Sequence, residues 1–81
     1  MTELQKLVLR DVFRQAGLDE RKIEDIFLLL RFKPEKVQLA FYYISTGATQ
    51  KAAGDEIGVT QQQIGKYLKK CNDIKEYLKS A

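Results

Sequence analysis

The residues best equipped for chemistry lie together near the C-terminal end of the chain, in a segment free of acidic side chains. The run Gln61 to Lys70 contains three consecutive glutamines and three lysines, but no aspartate or glutamate. A glutamine amide offers a hydrogen-bond donor beside an acceptor, and a lysine ammonium binds anionic oxygens. Such a segment is suited to holding an anionic partner by hydrogen bonds and charge rather than to breaking covalent bonds.

The rest of the composition argues against catalysis and metal binding. The 81 residues include no histidine and one cysteine, Cys71, so an internal disulfide, a zinc centre and histidine-based mechanisms are excluded. The adjacent carboxylate pairs Glu24–Asp25 and Asp55–Glu56 are not at ligand spacing on one helix face. We therefore expect no enzymatic activity, no catalytic residues, no metal and no cofactor, and no small-molecule ligand is evident.

Charge and hydropathy predict a small globular protein of the cytoplasm. Charged residues make up 31% of the chain and hydrophobic residues 44%, with a formal net charge of +3. The longest apolar run, Ile26 to Leu30, is far shorter than the roughly 18 residues of a membrane span. The first residues show no basic stretch before an apolar core, so no secretory signal is predicted.

The pattern of caps and breakers predicts an all-α fold of five to six short helices. No run of five residues alternates at period 2, which argues against strands. Thr2 with Gln5, and Thr60 with Gln63, have the spacing of capping boxes. The full set of expected helix openings is Thr2, Asp19, Pro34 in a first turn, Thr49 or Ala48, Thr60, and Asn72 or Asp73. The expected helix stops are Gly17, Gly47 and Gly58.

The first two helices carry more apolar residues than one core face requires. Residues 1–33 are therefore predicted to be an oligomerisation element, and residues 34–81 the domain that carries the acid-free run. In helix one, the main stripe is expected to be Leu4, Leu7 and Val8, with Leu9 and Phe13 outside it. In helix two, Leu28, Leu29 and Phe32 lie beyond the stripe of Ile23, Ile26, Phe27 and Leu30. Two alternatives follow: a second copy covers the surplus, or the remaining helices wrap it within one copy.

Residues 49–70 have the residue types that two short helices joined by a tight turn require. Ala53 and Gly54 are small enough for the second helix to cross the first closely. Gly58 permits the positive φ of the turn, and Val59 is expected to be enclosed and to lock the angle. Ile57 would point into that angle. Thr60 would cap the second helix, whose buried stripe is Ile64, Tyr67, Leu68 and Cys71.

This segment resembles the helix-turn-helix DNA-binding superfamily. The run Gly54 to Thr60 is similar to the corresponding part of phage Cro-type repressors and of region 4 of bacterial sigma factors. Repressors usually carry alanine where this chain has Gly54; glycine permits an equally close crossing at a cost of up to about 1 kcal/mol in helix stability. The resemblance covers residues 49–70, with helix three as the expected preceding helix, and does not extend to residues 1–33.

The second helix of this segment would present its polar face to DNA. Gln62, Lys66 and Lys69 lie opposite Ile64 at 100° per residue. Glutamine bonds an adenine edge, and lysine reaches guanine or phosphate. The resemblance adds backbone contacts at the start of the first helix. The predicted DNA-binding residues are Thr49, Gln50, Lys51, Thr60, Gln61, Gln62, Gln63, Gly65, Lys66, Lys69 and Lys70. The other interpretation is an ordinary solvated face.

The sequence therefore predicts specific binding to double-stranded DNA by a small transcriptional regulator, a repressor for example, that acts as a homodimer or higher homo-oligomer. Packaging or replication would use the same contact. The alternative function is a protein–protein interaction adaptor that docks on polymerase or another regulator through its apolar N-terminal helices. An adaptor has no need for an acid-free glutamine and lysine face, which favours DNA.

Overall fold

The computed structural model describes residues 1–80, with side chains through residue 79, and is built from helices. The helices are α1 (Glu3–Gln15), α2 (Glu20–Arg31), α3 (Glu35–Ser45), α4 (Gln50–Ile57), α5 (Gln61–Lys69) and α6 (Asn72–Ser80). Residues 1–80 contain no strand, so the predicted all-α class is confirmed. Within the same residues, no helix is long and apolar enough to cross a bilayer.

Side-chain caps begin four of the helices where the sequence predicts. Thr2 forms the complete capping box, because its hydroxyl accepts from the Gln5 N–H at 3.1 Å and its own N–H donates to Gln5 Oε1 at 3.0 Å. Asp19 accepts from the N–H of Lys22 at 2.9 Å. Thr49 and Thr60 cap α4 and α5 in the same way, each at 3.1 Å. The local sequence therefore sets these helix starts.

Two predicted openings differ in detail from the structure. Thr60 accepts from the N–H of Gln63, but the return bond from the Gln63 side chain is absent among the described residues, so this capping box is half formed. Pro34 is the N-cap of α3 rather than a residue of its first turn. Its ring fixes φ, −56° here, and an N-cap tolerates the missing N–H as well as a first turn does.

The larger core lies between α1, α2, α3 and α6. Its buried members are Leu9, Phe13, Ile23, Ile26, Leu30, Val37, Phe41, Cys71 and Ile74. Helix α6 returns to α2 and adds Ile74, which is fully buried. Side chains from both sides of residue 33 thus share one core, and the division of the chain at that residue stays a prediction.

The buried face of α1 is the reverse of the predicted one. Leu9 is 0% and Phe13 6% exposed, whereas Leu4 is 71% and Leu7 61% exposed. Helix α1 is apolar over most of its circumference, so its own periodicity does not decide which edge faces inward. The position of α2 and α3 decides it: Phe13 packs against Phe27 and Phe41, with ring centroids 6.2 and 6.3 Å apart.

Helix α2 buries three residues of the predicted stripe, and the fourth, Phe27, is partly buried. Ile23, Ile26 and Leu30 are buried, and Leu28 and Phe32 are exposed by 50% and 79%. Leu29, predicted to belong to the apolar surplus, is partly buried against the larger core. The surplus on α2 therefore consists of Leu28 and Phe32.

The smaller core lies where α3, α4 and α5 meet. Its buried members are Ala40, Ala53 and Ile64. Partly buried side chains surround them: Tyr43, Ile44, Ile57, Val59, Tyr67 and Leu68. Val59, expected to be enclosed, is only half-buried, since the turn that carries it lies at the surface, where its neighbours Gly58 and Thr60 are exposed. Helix α3 contributes to both cores, with Val37 and Phe41 in one and Ala40 in the other.

Two polar contacts hold α6 against the N-terminal half. The Tyr77 hydroxyl donates to Asp25 Oδ2 at 2.7 Å, and Lys33 Nζ lies 2.9 Å from Asp73 Oδ2. The bond to Asp25 raises the pKa of Tyr77, because it stabilises the protonated phenol. Tyr77 thus packs back on its own chain.

Candidate nucleic-acid interface

The close crossing of α4 and α5 depends on Gly54. Its carbonyl oxygen accepts from the N–H groups of Gly58 at 2.8 Å and of Val59 at 2.9 Å. A Cβ on Gly54 would lie 2.7 Å from the carbonyl oxygen of Val59, which is a clash with backbone. The crossing is therefore closer than alanine permits, which gives a steric reason for glycine at position 54. Gly58 supplies the predicted left-handed conformation of the turn, with φ +85°.

Helix α5 presents opposite faces to the core and to solvent. Ile64 is fully buried in the smaller core. Gln62, Lys66 and Lys69 lie on the other side and are exposed. The hydrogen-bonding and cationic groups of the helix are thus accessible, and burial of Ile64 sets their direction.

The remaining predicted site residues divide into two groups. Gln61 and Lys70 are exposed at the two ends of α5, and Gln63 is half-buried beside the capping hydroxyl of Thr60. Thr49, Gln50 and Lys51 are exposed at the start of α4. Gln50 lines a shallow groove together with Thr60, Gln61 and Gln62, so the starts of α4 and α5 lie side by side.

One contact at this site, between the Gln50 side chain and the backbone at Gly65, was not predicted from the sequence. The Gln50 Oε1 atom lies 3.9 Å from the position that a Cβ on Gly65 would occupy. Gly65 is therefore covered in part by α4 and is half-buried, and its contact with DNA stays a prediction. The sequence signal for this contact was a glycine in the middle of a short helix. That signal does not identify which residue of another helix lies against the glycine.

The exposed face of α5 is positively charged, and no acidic side chain of the described residues pairs with its lysines. Within residues 1–80, Lys66, Lys69 and Lys70 form no ion pair. Asp55 and Glu56 lie at the opposite end of α4 from Gln50. Lys66 and Lys69 occupy the last turn of α5, where the helix dipole favours positive charge. These ammonium groups are thus available to external anions.

Other chemistry is sparse in the described part of the chain. No group of three acidic, cysteine or histidine side chains within it is placed to hold a metal ion. Cys71 is fully buried in the larger core, and burial raises the pKa of its thiol, which disfavours the nucleophilic thiolate. The polar face of α5 and the start of α4 therefore form the candidate nucleic-acid interface.

Comparisons of the chain with protein-family models, with curated proteins and with solved structures return no match.

Proposed function

We propose that this protein binds double-stranded DNA in a sequence-specific manner, with α5 in the major groove, as a small cytoplasmic regulator of transcription. The observation that carries the proposal is the exposed face of α5, which joins amide and ammonium groups without an acid and lies opposite the buried Ile64. An α-helix fits the major groove, where base edges present distinct donor and acceptor patterns.

The polarity along α5 gives its two ends different tasks. Gln61 and Gln62 lie at its N-terminal end, where glutamine amides reach base edges such as adenine N6 and N7. Lys66, Lys69 and Lys70 lie towards its C-terminal end and reach phosphates or guanine acceptors. Specificity then comes mainly from the amides, and much of the salt-dependent affinity from the lysines.

The start of α4 supplies contacts to the DNA backbone. Gln50 shares the groove with Thr60 and Gln61, and Lys51 is exposed beside it. Thr49 and Thr60 use their hydroxyls as helix caps, which fixes the residue at which each helix begins. Backbone contacts of this kind fix the register of the reading helix on the duplex.

Two copies of the protein act together in this proposal. One reading helix with so few cations gives weak binding alone, and two copies on adjacent half-sites multiply affinity. On straight DNA, a two-fold pair would place its reading helices about 34 Å apart, one turn of the double helix.

The adaptor function remains the second candidate because of one observation. Leu4, Leu7, Val8, Leu28 and Phe32 are large apolar side chains exposed to solvent. A partner protein such as polymerase could cover them. Under that function DNA binding would be absent, whereas the face of α5 favours DNA.

Selection of bound duplexes from a random pool, followed by titration of the selected site, tests DNA binding. We expect Gln62→Ala to weaken specific binding by about 1–3 kcal/mol if it reads a base. Lys66→Ala should weaken binding to all duplexes alike if Lys66 contacts phosphate. It should then also reduce the slope of the logarithm of the binding constant against the logarithm of salt concentration by about 1. Lys36→Ala is the matched control, because Lys36 is exposed at the start of α3. Absence of any selected site, or unchanged binding in both α5 variants, would refute the proposal.

A further inference from the structure

The outer faces of α1 and α2 are both apolar stripes that end in a charge. On α1, Leu4, Leu7 and Asp11 lie within about 60° of one another, opposite the buried Leu9 and Phe13. All three are exposed. These residues form the outer stripe of α1.

The outer stripe of α2 has the same composition with the opposite charge. Arg21, Leu28 and Phe32 lie within about 40° of one another, and all are exposed. Neither Asp11 nor Arg21 forms an ion pair within residues 1–80. Asp11 lies near Arg14 and Arg21 near Tyr77, but one stripe carries an acid and the other a base that no direct ion pair engages among the described residues.

Ion pairs between α1 and α2 define the register of these stripes. Arg10 Nη1 lies 2.6 Å from Glu24 Oε1, and Arg14 Nε lies 2.6 Å from Glu20 Oε1. Four residues forward along α1 therefore correspond to four residues back along α2, so the helices form an antiparallel hairpin.

This register brings matching residues of the two stripes to similar heights. Continued along the hairpin, this register places Leu7 at the level of Leu28 to within one residue along the axis. It places Leu4 at the level of Phe32 to within two residues. Asp11 falls within two residues of the level of Arg21. Each offset is at most about 3 Å along the helix axis, which is within side-chain reach.

We propose that a second copy of this chain covers the outer stripes, through a two-fold axis parallel to α1 and α2. A rotation about such an axis leaves the position of each residue along the helix direction unchanged. It places α1 of one copy over α2 of the other. Leu4 and Leu7 of one copy then meet Phe32 and Leu28 of the other, and Asp11 meets Arg21. The four helices form an antiparallel bundle in which each contact occurs twice, as an isologous interface requires.

Charge complementarity selects a second copy over an unrelated partner, because both stripes are apolar and each carries the charge opposite to that of the other. The inference deepens the pairing of two copies in the proposed function. Its test uses no DNA, so its failure leaves the DNA contact of α5 standing, and failure of DNA binding leaves this interface standing.

Sedimentation equilibrium of the full chain from micromolar to millimolar concentration measures the association. We expect a monomer–dimer equilibrium that stops at two copies. The single charge reversals Asp11→Arg and Arg21→Asp should each raise the dissociation constant at least about tenfold, because each places like charges together twice. Circular dichroism should show unchanged helix content, since both side chains are exposed.

The double variant Asp11→Arg/Arg21→Asp decides whether the two residues meet. It should restore the dissociation constant to within about threefold of the original chain. Lys36→Asp is the control for a charge change outside the stripes and should leave association unchanged. A monomer at all concentrations, growth beyond two copies, or a double variant as weak as the two single variants combined would overturn the proposal.

Discussion

Two helix pairs pack on α3, and their outer surfaces are of opposite character. The pair α1 and α2 packs through Leu, Ile and Phe side chains and exposes Leu4, Leu7, Val8, Leu28 and Phe32. The pair α4 and α5 packs through Ala53, Gly54 and Ile64, and its outer surface is polar: glutamine and lysine on α5, with the exposed acids Asp55 and Glu56 at the end of α4. Within residues 1–80, every large hydrophobic side chain that is strongly exposed lies in α1, in α2 or directly after α2.

The difference follows from how closely each pair approaches. A crossing made by glycine and alanine brings backbones together and needs few large side chains, so most positions of α4 and α5 remain polar. A hairpin held by large side chains has more apolar residues than its own core buries. Those that remain exposed form an apolar patch that a further surface can bury. The first arrangement is suited to a polar partner, and the second to a further apolar surface.

The largest difference between the two regions should come from a buried carboxylate. Val37 is fully buried in the larger core, whereas Val59 is half-buried at the edge of the smaller one. We expect Val37→Asp to prevent folding, because its charge has no route to water. Val59→Asp should fold and lose about 1–2 kcal/mol, measured by urea unfolding. Equal damage in both variants would mean that the turn is enclosed after all.

Cavities in the two cores test whether the regions fold as one unit. Ile26→Ala and Ile64→Ala each remove a fully buried side chain, at an expected cost of about 2–5 kcal/mol. Because α3 belongs to both cores, each variant should lower the temperature of one cooperative transition. Calorimetry that resolves two transitions, only one of them shifted, would support the predicted division at residue 33 instead.

Alanine at two glycines of the α4–α5 pair should act with opposite signs. Gly54→Ala improves helix propensity by up to about 1 kcal/mol, but its Cβ meets the Val59 carbonyl oxygen at 2.7 Å, so a net loss of about 1–3 kcal/mol is expected. Gly65→Ala has only Gln50 Oε1 nearby, at 3.9 Å, and should gain about 0.5–1 kcal/mol. Denaturant midpoints give both values, and a stabilised Gly54→Ala would show that the crossing is looser than described.

The smallest effect should come from the ion pair that ties α6 to the N-terminal half. Burial alone would raise the pKa of Asp73, but hydrogen bonds from Lys33 and from the Ile74 N–H outweigh it and lower that pKa. A lowered pKa contributes stability above the ordinary aspartate pKa of about 4, and that stability is lost as pH falls through the lowered value.

Asp73→Asn should therefore cost less than about 1 kcal/mol at pH 7, since the pair is partly exposed, and the cost should shrink as pH falls below about 4. Thermal melts across this pH range measure the difference. Asp55→Asn is the control, because Asp55 is exposed at the end of α4. A difference between Asp73→Asn and the original chain that does not shrink as pH falls below about 4 would contradict the electrostatic origin.

Local signals in the sequence determined the helices and the polar face of α5. Thr2, Asp19, Thr49 and Thr60 are caps whose bonds reach only three residues along the chain, so sequence spacing is enough to place them. The opposite directions of Ile64 and Lys66 follow from the helical period alone. The geometry of most of the candidate site was therefore predictable from the sequence, and its binding of DNA stays a proposal.

Only the tertiary structure decided which side of α1 is buried, how tightly α4 meets α5, and how Gly65 lies beneath Gln50. Leu7 and Leu9 are equally apolar, and the choice between them depends on where α2 and α3 lie, which no local pattern contains. The clash that excludes a Cβ at Gly54 likewise depends on the path of the turn at Val59. Helix period and capping act within a few residues, whereas burial is set by elements that are distant along the chain.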